Sequence, residues 1–446
     1  MANPIVGMFR IKELRERILF TFSMLVVFRI GAVFPIPGIN VHELRLHFDS
    51  LAERDGGNPI VDYLDFFAGG AFSNFSVFML GIMPYISMSI IMQLLLIVFP
   101  KLKKISQEDG GRKRIQKWQR YGTVVVCLIQ SFAVTQFAQS IARQGVHILN
   151  PGIGMVLFTF IAMITVTTGT IFLMWIGEQI TKRGIGNGIS LLIFAGIVAR
   201  LPDAVWELMR MVQRDDLNLV FVLVVFVMFV VVVSLVVFEQ RGQRKIPVNY
   251  AKRVVGRKMY GAQNTYIPFK INPSGVIPVI FASSILTFPL QLAGTIGETV
   301  PWLGRMARFL VPYGAAYNMV YVLLIIFFAY FYTQVTLNPM EIAKQIRENG
   351  GSIPGIRSEN IEAYLTRILN RIVLPGAMYL AFIAVIPSIV QWAFNFPTTI
   401  AYLLGGTSLL ILVGVDLDTM SQIDGMLKMH HHEGLTKKGR VRGRNL

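Results

Sequence analysis

Apolar residues run along this chain in long unbroken stretches, separated by charged or Pro/Gly-rich connections, a pattern that suits lipid as the surrounding solvent. Ten such stretches lie at 18–36, 76–99, 119–140, 153–177, 185–201, 217–238, 274–292, 315–337, 370–391 and 399–417. Most approach the length that a helix needs to cross roughly 30 Å of hydrocarbon, and only 185–201 is short and glycine-rich. The pattern predicts an all-α polytopic membrane protein with ten transmembrane helices. Ten divides into two fives, and a five-span unit must enter the membrane the second time with opposite orientation. The count alone therefore predicts two inverted five-helix halves, 1–201 and 202–424, followed by a basic tail over 425–446.

One apolar segment lacks the length to cross. Pro59 to Ser76 reads PIVDYLDFFAGGAFSNFS, with Asp62 and Asp65 ahead of Gly69-Gly70. Unpaired backbone in lipid costs several kcal/mol per group, so a broken piece at membrane depth must be enclosed by protein or line a wet cavity. This favours a re-entrant segment; the alternative is an amphipathic helix lying on the outer surface.

Composition agrees: of 446 residues 54% are hydrophobic and only 15% charged, too apolar for an ordinary soluble protein. A net charge of +17 would suggest nucleic acid in such a protein, but here position matters more than the sum. Thirty-three of the 42 Lys and Arg residues fall in alternate connections and the two termini, eight in the others, and Arg29 lies within the first span. The positive-inside rule then puts both termini in the cytoplasm. The first apolar run is long, with no small-residue cleavage site after it, so it is expected to stay as a span. The single cysteine, Cys127, allows no intramolecular disulfide.

Candidate chemistry within the spans is sparse. Arg29 lies toward an outer end, and Glu178, Glu239, Asp416 and Asp418 fall at cytoplasmic ends, so no proton relay can be strung across the membrane. Active solute transport loses ground. Isoleucines stand out instead: Ile82 and Ile86 four apart, with Ile193, Ile280 and Ile411 in separate runs, a pattern that plain helix packing also explains. Gly184, Gly186 and Gly188, with Gly405-Gly406, permit close helix approach or bending, and Pro84 and Pro278 permit kinks. The sequence predicts no catalytic residue, cofactor or metal. No nucleotide-binding or hydrolase motif occurs, and His430 to His432 lack the spacing of a zinc site.

Two connections are longer than a simple link requires. The loop 239–273 alternates basic and apolar residues (ERGQRKIPVNYAKRVVGRKMYGAQ) and predicts a β-ribbon. The loop 338–371 carries a turn-rich tip, GGSIPGIR, ending in Arg357. Basic surfaces of this kind suit an acidic partner, RNA or anionic lipid headgroups.

The stretches FFAGGAFSNFSVFMLGIMPYISMSIIMQL, GTIFLMWIGEQITKRGIGNGISLLIFAGIVA, ERGQRKIPVNYAKR, GVIPVIFASSIL and GGTSLLI resemble the SecY family, in the family's order and along essentially the whole chain. The resemblance implies a clamshell of two inverted halves around an hourglass pore, closed by a short plug helix at about residues 60–74 that includes Phe66, Phe67, Gly69, Gly70 and Phe72. It implies a pore ring of Ile82, Ile86, Ile193, Ile280 and Ile411, with Ile285 as a sixth member. An apolar ring resists ions by dewetting yet grips no polypeptide sequence tightly. A lateral gate would set Ser87 and Gln93 opposite the Phe288 region, with Asn187 in the same polar seam. Arg357, Arg257, Lys258 and Arg244 would dock the motor ATPase SecA or the ribosome, and small SecE-like and SecG-like membrane subunits would be companions. The implied function is a protein-conducting channel of the bacterial plasma membrane that accepts signal sequences and nascent polypeptides and releases apolar segments into the lipid bilayer. The competing expectation is an inverted-repeat secondary transporter of a small solute.

Overall fold

The structure, a computed structural model, describes residues 11–47, 65, 68–143, 146, 148–150, 154–214, 219–250, 253–255, 258–260, 264–296, 301–311, 314–394 and 406–438. The helices are α1 (Lys12–Gly31), α2 (Met83–Val98), α3 (Pro100–Gln107), α4 (Gly111–Arg143), α5 (Met155–Arg183), α6 (Gly188–Gln213), α7 (Leu219–Arg241), α8 (Ile277–Ile296), α9 (Pro301–Phe309), α10 (Ala315–Thr336), α11 (Pro339–Glu348), α12 (Ile361–Phe394) and α13 (Gly406–Lys438). Residues 41–47 are also helical. Among the described residues, 6 helices are long and apolar enough to cross a membrane, or 7 if the bent pair α2 and α3 is one span. The chain divides into two compact units, one of Met1–Trp206, Gln291–Pro301 and Val415–Leu446, the other of Glu207–Leu290 and Trp302–Gly414.

In the first unit, α1 packs on α5, α5 on α4, and α4 on α2. The α2/α3 bend of 104° has a local cause. Pro100 opens α3 without an N–H and pushes Phe99 into extended backbone (φ −106, ψ 102), so α2 ends there. One carboxylate joins α4 and α5: Arg120 donates Nε and Nη2 to the two carboxylate oxygens of Glu178 at 2.8 and 2.6 Å, and Lys182 lies 3.5 Å from the same group. Such bidentate pairing is what makes a carboxylate acceptable near lipid. The turn after α5 is anchored on both sides, since the Ile185 N–H donates to Thr21 Oγ1 (3.1 Å) and the Gly186 N–H to Gln422 Oε1 (2.9 Å). Gly186 adopts φ +81, and a Cβ on Gly188 would strike the Gly177 carbonyl, so these two glycines serve a turn and a close approach.

The second unit carries the ribbon module. Strands β1 (Gln243–Tyr250), β2 (Arg253–Val255), β3 (Lys258–Tyr260), β4 (Asn264–Lys270) and β5 (Gly351–Ser352) form a three-stranded antiparallel sheet in the order β4-β1-β5 and a two-stranded hairpin of β2 and β3. Alternation in β1 buries Ile246 and Val248 and exposes their neighbours, the pattern of a sheet with one dry face. That face packs on Phe269 and on Ala343, Ile346, Ile353, Ile361, Leu365 and Leu369, an apolar core shared with α11 and the first turns of α12. Elsewhere in this unit α10 packs on α12 through Ala329, Val373 and Ala377.

The structure departs from two sequence expectations. The helix α12 begins at Ile361, well before the predicted 370, because the residues that precede the span belong to the module's core. Helix α13 continues to Lys438, so the first part of the tail is helical. Of the segment expected to form a short helix at 60–74, Asp65 is helical and residues 68–74 are turns, for reasons given next, while the other positions lie outside the described residues.

Candidate functional site

Asp65 is helical, and residues 68–82, which follow it, are built from turns that a continuous helix cannot accommodate. Gly69 (φ +65), Gly70 (φ +87), Phe75 (φ 43) and Gly81 (φ 56) all take left-handed conformations, which interrupt any run of helical dihedrals. Two of these glycines also make close approaches. A Cβ on Gly69 would lie 2.7 Å from the Gly196 Cα of α6, and one on Gly70 would lie 3.2 Å from the Arg200 guanidinium.

Backbone hydrogen bonds then tie the segment to the chain before it. The Ile36 N–H donates to the Phe75 carbonyl (2.8 Å), and the Val77 N–H to the Phe34 carbonyl (2.9 Å). Within the segment, Gly70 N–H donates to the Asp65 carbonyl (3.0 Å), Ser73 N–H to Asp65 Oδ1 (2.7 Å) and Asn74 Nδ2 to the Gly70 carbonyl (2.9 Å). Polar side chains of neighbouring helices complete the set. Arg29 Nη1 of α1 donates to the Gly69 carbonyl at 2.6 Å. Arg200 of α6 forms an ion pair with Asp65 and donates Nη2 to Ser73 Oγ at 3.3 Å. Apolar packing adds to this: Phe72 and Phe75 are buried, Phe75 stacks on Phe137 of α4, and Phe72 meets the same ring tilted.

In the first unit, Ile82 and Ile86 are close to this segment in sequence, and Ile193 stands on the face of α6 that carries Gly196 and Arg200. Ile82 and Ile86 are buried at the start of α2, and the Ile86 N–H donates to the Ile82 carbonyl. Ile193, buried on α6, stands three residues before Gly196 and seven before Arg200, so all three share one face of that helix. In the second unit Ile280 and Ile411 are buried and Ile285 is half-buried. Ile280 lies one turn beyond Val276 and Ile411 one turn before Gly414, and the absence of a Cβ at Gly414 lets Val276 pack against it.

The remaining expected residues fall as follows. Ser87 and Gln93 are half-buried on α2, and Gln93 Oε1 has no hydrogen-bond partner among the described residues. Asn187 is exposed and accepts from the Ile189 N–H (3.1 Å) at the start of α6. Phe288 lies on α8, with its side chain outside the described residues. Arg357 and Arg244 are exposed; Lys258 lies on β3, while Arg257, Phe66 and Phe67 fall outside the described residues. Arg200, Asp65 and Ser73 were not singled out from sequence as site residues. The spacing of Arg200 from Ile193 was visible, but nothing in the sequence says which carboxylate faces it.

A polytopic membrane protein with an irregular, protein-enclosed segment at the head of one of its spans is thus defined. The SecY family model matches residues 76–420. The Protein translocase subunit SecY of Escherichia coli (strain K12) is 44% identical over 435 residues, covering 97% of this chain and 96% of the relative. Among solved structures, the fold is similar to one describing how the plug domain of the SecY protein stabilises the closed state of the translocation channel (TM-score 0.64, 22% identity, 92% of each chain). It is also similar to Sec61 in the canine ribosome-channel complex from the endoplasmic reticulum (TM-score 0.61, 21% identity, 92% of each chain). The chain belongs to the SecY family, and its fold is that family's ten-helix membrane fold. The expectation of a solute transporter finds no support in these relatives.

Proposed function

We propose that this chain is the protein-conducting channel of a bacterial Sec translocase, passing unfolded polypeptides across the plasma membrane and releasing apolar segments sideways into lipid. The observation that carries this is identity along almost the whole length with a translocase subunit. The halves 1–201 and 202–424 would flank the path, with both termini cytoplasmic and the loops 239–273 and 338–371 facing the motor side. The segment containing Gly69, Gly70 and Phe72 acts as the plug, and the likeness to a structure in which a SecY plug maintains a seal supports the assignment. Ile82, Ile86, Ile193, Ile280, Ile285 and Ile411 form the apolar constriction. Ser87, Gln93, Asn187 and Phe288 line the lateral gate, and the half-buried polar side chains on α2 suit a seam that opens to water before it opens to lipid.

Arg244, Arg257, Lys258 and Arg357 dock the partner that supplies energy, SecA or the ribosome. The likeness to a ribosome-bound channel supports the second of these, and SecE-like and SecG-like subunits complete the assembly. The channel is not an enzyme and needs no cofactor, since the work comes from the docked partner.

The test is site-specific crosslinking from Ile86 and Ile411 to a stalled secretory chain in membranes supplied with SecA and ATP. Crosslinks from both positions, and none from outward-facing positions on the same helices, are expected. Translocation that proceeds with no crosslink from either would remove the pore assignment.

A further inference from the structure

We infer that Arg200 and Arg29 are positioning residues that latch the segment 65–76 in place, Arg200 through Asp65 and Ser73 and Arg29 through the Gly69 carbonyl, so that opening the channel must break these bonds. The inference rests on reading that segment as the plug.

Four observations carry it. Asp65 is 8% exposed, and a carboxylate so enclosed is stable only with a partner, which Arg200 provides. Asp65 also accepts the Ser73 N–H, and Ser73 Oγ accepts from Arg200, so one guanidinium grips both ends of a closed loop. Gly70 has no Cβ, which lets that guanidinium lie against its backbone, and Gly69 meets Gly196 backbone to backbone. The second arginine comes from a different helix and takes the carbonyl of the same Gly69 at 2.6 Å.

Two further features make this a latch more than a packing contact. The bonds are charge-assisted, and the one to Asp65 ends on a buried carboxylate, so it is strong while made and leaves a costly orphan when broken. The segment's own backbone is irregular and left-handed at several points, so it gains little from helical hydrogen bonds and depends on the side chains that hold it. Arg200 stands on the face of α6 that carries Ile193, so a polypeptide pressing on that face would act on the residue that holds the plug.

The experiment measures passive iodide leak through the full chain, co-expressed with its companion subunits and reconstituted in vesicles, normalised to inserted protein. Arg200→Gln and Asp65→Asn, the latter nearly isosteric, are compared with Arg29→Lys, with the exchange Asp65→Arg/Arg200→Asp, and with deletion of 65–74. A leak raised about tenfold in both single variants, approaching that of the deletion and reduced again by the exchange, is expected, since breaking a buried pair costs more than the about 1.4 kcal/mol that tenfold represents. Arg29→Lys keeps the charge but loses the fixed fork, so a smaller rise is expected there. A leaky deletion beside single variants at the parent level overturns the latch and leaves the plug standing. Leaky single variants that the exchange does not correct overturn the ion pair. A deletion no leakier than the parent overturns the plug reading, and the latch with it.

Discussion

The segment 65–82 and the ribbon module solve opposite problems. The module uses regular strands whose backbone groups pair with each other, and it is held by an apolar core in which Val248, Ala343, Ile361 and Leu365 are fully buried. The described residues of the segment form no ladder; their carbonyls and N–H groups are satisfied by short turns, by arginines, an aspartate and an extended neighbour, and the shape depends on glycines. A regular element can be stabilised by many interchangeable apolar contacts, whereas an irregular one depends on a few specific polar contacts. The first kind resists opening as a unit, and the second can be released by breaking a small number of bonds.

The comparison breaks most visibly at the module's core. Leu365 is 0% exposed and belongs to the cluster that joins the sheet to α12. Leu365→Ala should cost about 2–5 kcal/mol locally through lost burial and the cavity left behind. Hydrogen exchange should then speed up at β1 and β4 amides, with residues 68–82 unchanged. Faster exchange in both regions would mean that the two are one cooperative element and that the contrast is false.

Glycine gives the next largest effect and separates two causes. Gly69 and Gly275 have nearly the same dihedral, φ +65 and +60, but a Cβ on Gly69 meets Gly196 backbone at 2.7 Å while one on Gly275 meets nothing within 4 Å. Left-handed strain alone costs about 1–2 kcal/mol. Gly275→Ala should therefore lose about 1 kcal/mol of stability in a detergent unfolding series, and Gly69→Ala about 2–3 kcal/mol because backbone must also move. Equal losses would show that the segment yields to the added methyl group and is not tightly held.

The same contrast explains what the sequence made legible. The ten apolar stretches, and a ribbon from the alternating residues of 239–273, depend on local periodicity, which survives in one dimension. The segment 59–76 could be recognised as too short to span and as interrupted by Gly69-Gly70, yet its shape could not be read. The left-handed turn at Phe75 has no sequence signature, and the partners of Asp65 and Gly69 lie 135 and 40 residues away along the chain, as Arg200 and Arg29. The start of α12 at Ile361 was missed for a related reason: its first turns face the module's core, and that core is assembled from 246–269 and 343–369. The isoleucines were identified by resemblance to a family, since periodicity does not distinguish a pore-facing residue from a packed one.

The smallest effect is expected where the module meets its first helix. Asn338 caps α11: its Oδ1 accepts the Met340 N–H at 3.2 Å, and Pro339 takes the first helical position, where its missing N–H leaves no bond unmade. Asn338→Ala removes the acceptor and should cost about 1 kcal/mol, while Asn338→Asp keeps it and should cost little. Because α11 is also held by buried Ala343 and Ile346, loss of the cap should fray the first turn and leave the sheet intact. The check is exchange at Glu341 and Ile342 against exchange at Val248. Protection lost at all three would mean that a single polar bond holds the module as it holds the segment 65–82, and the distinction between an element kept by its core and one kept by its latches would fail.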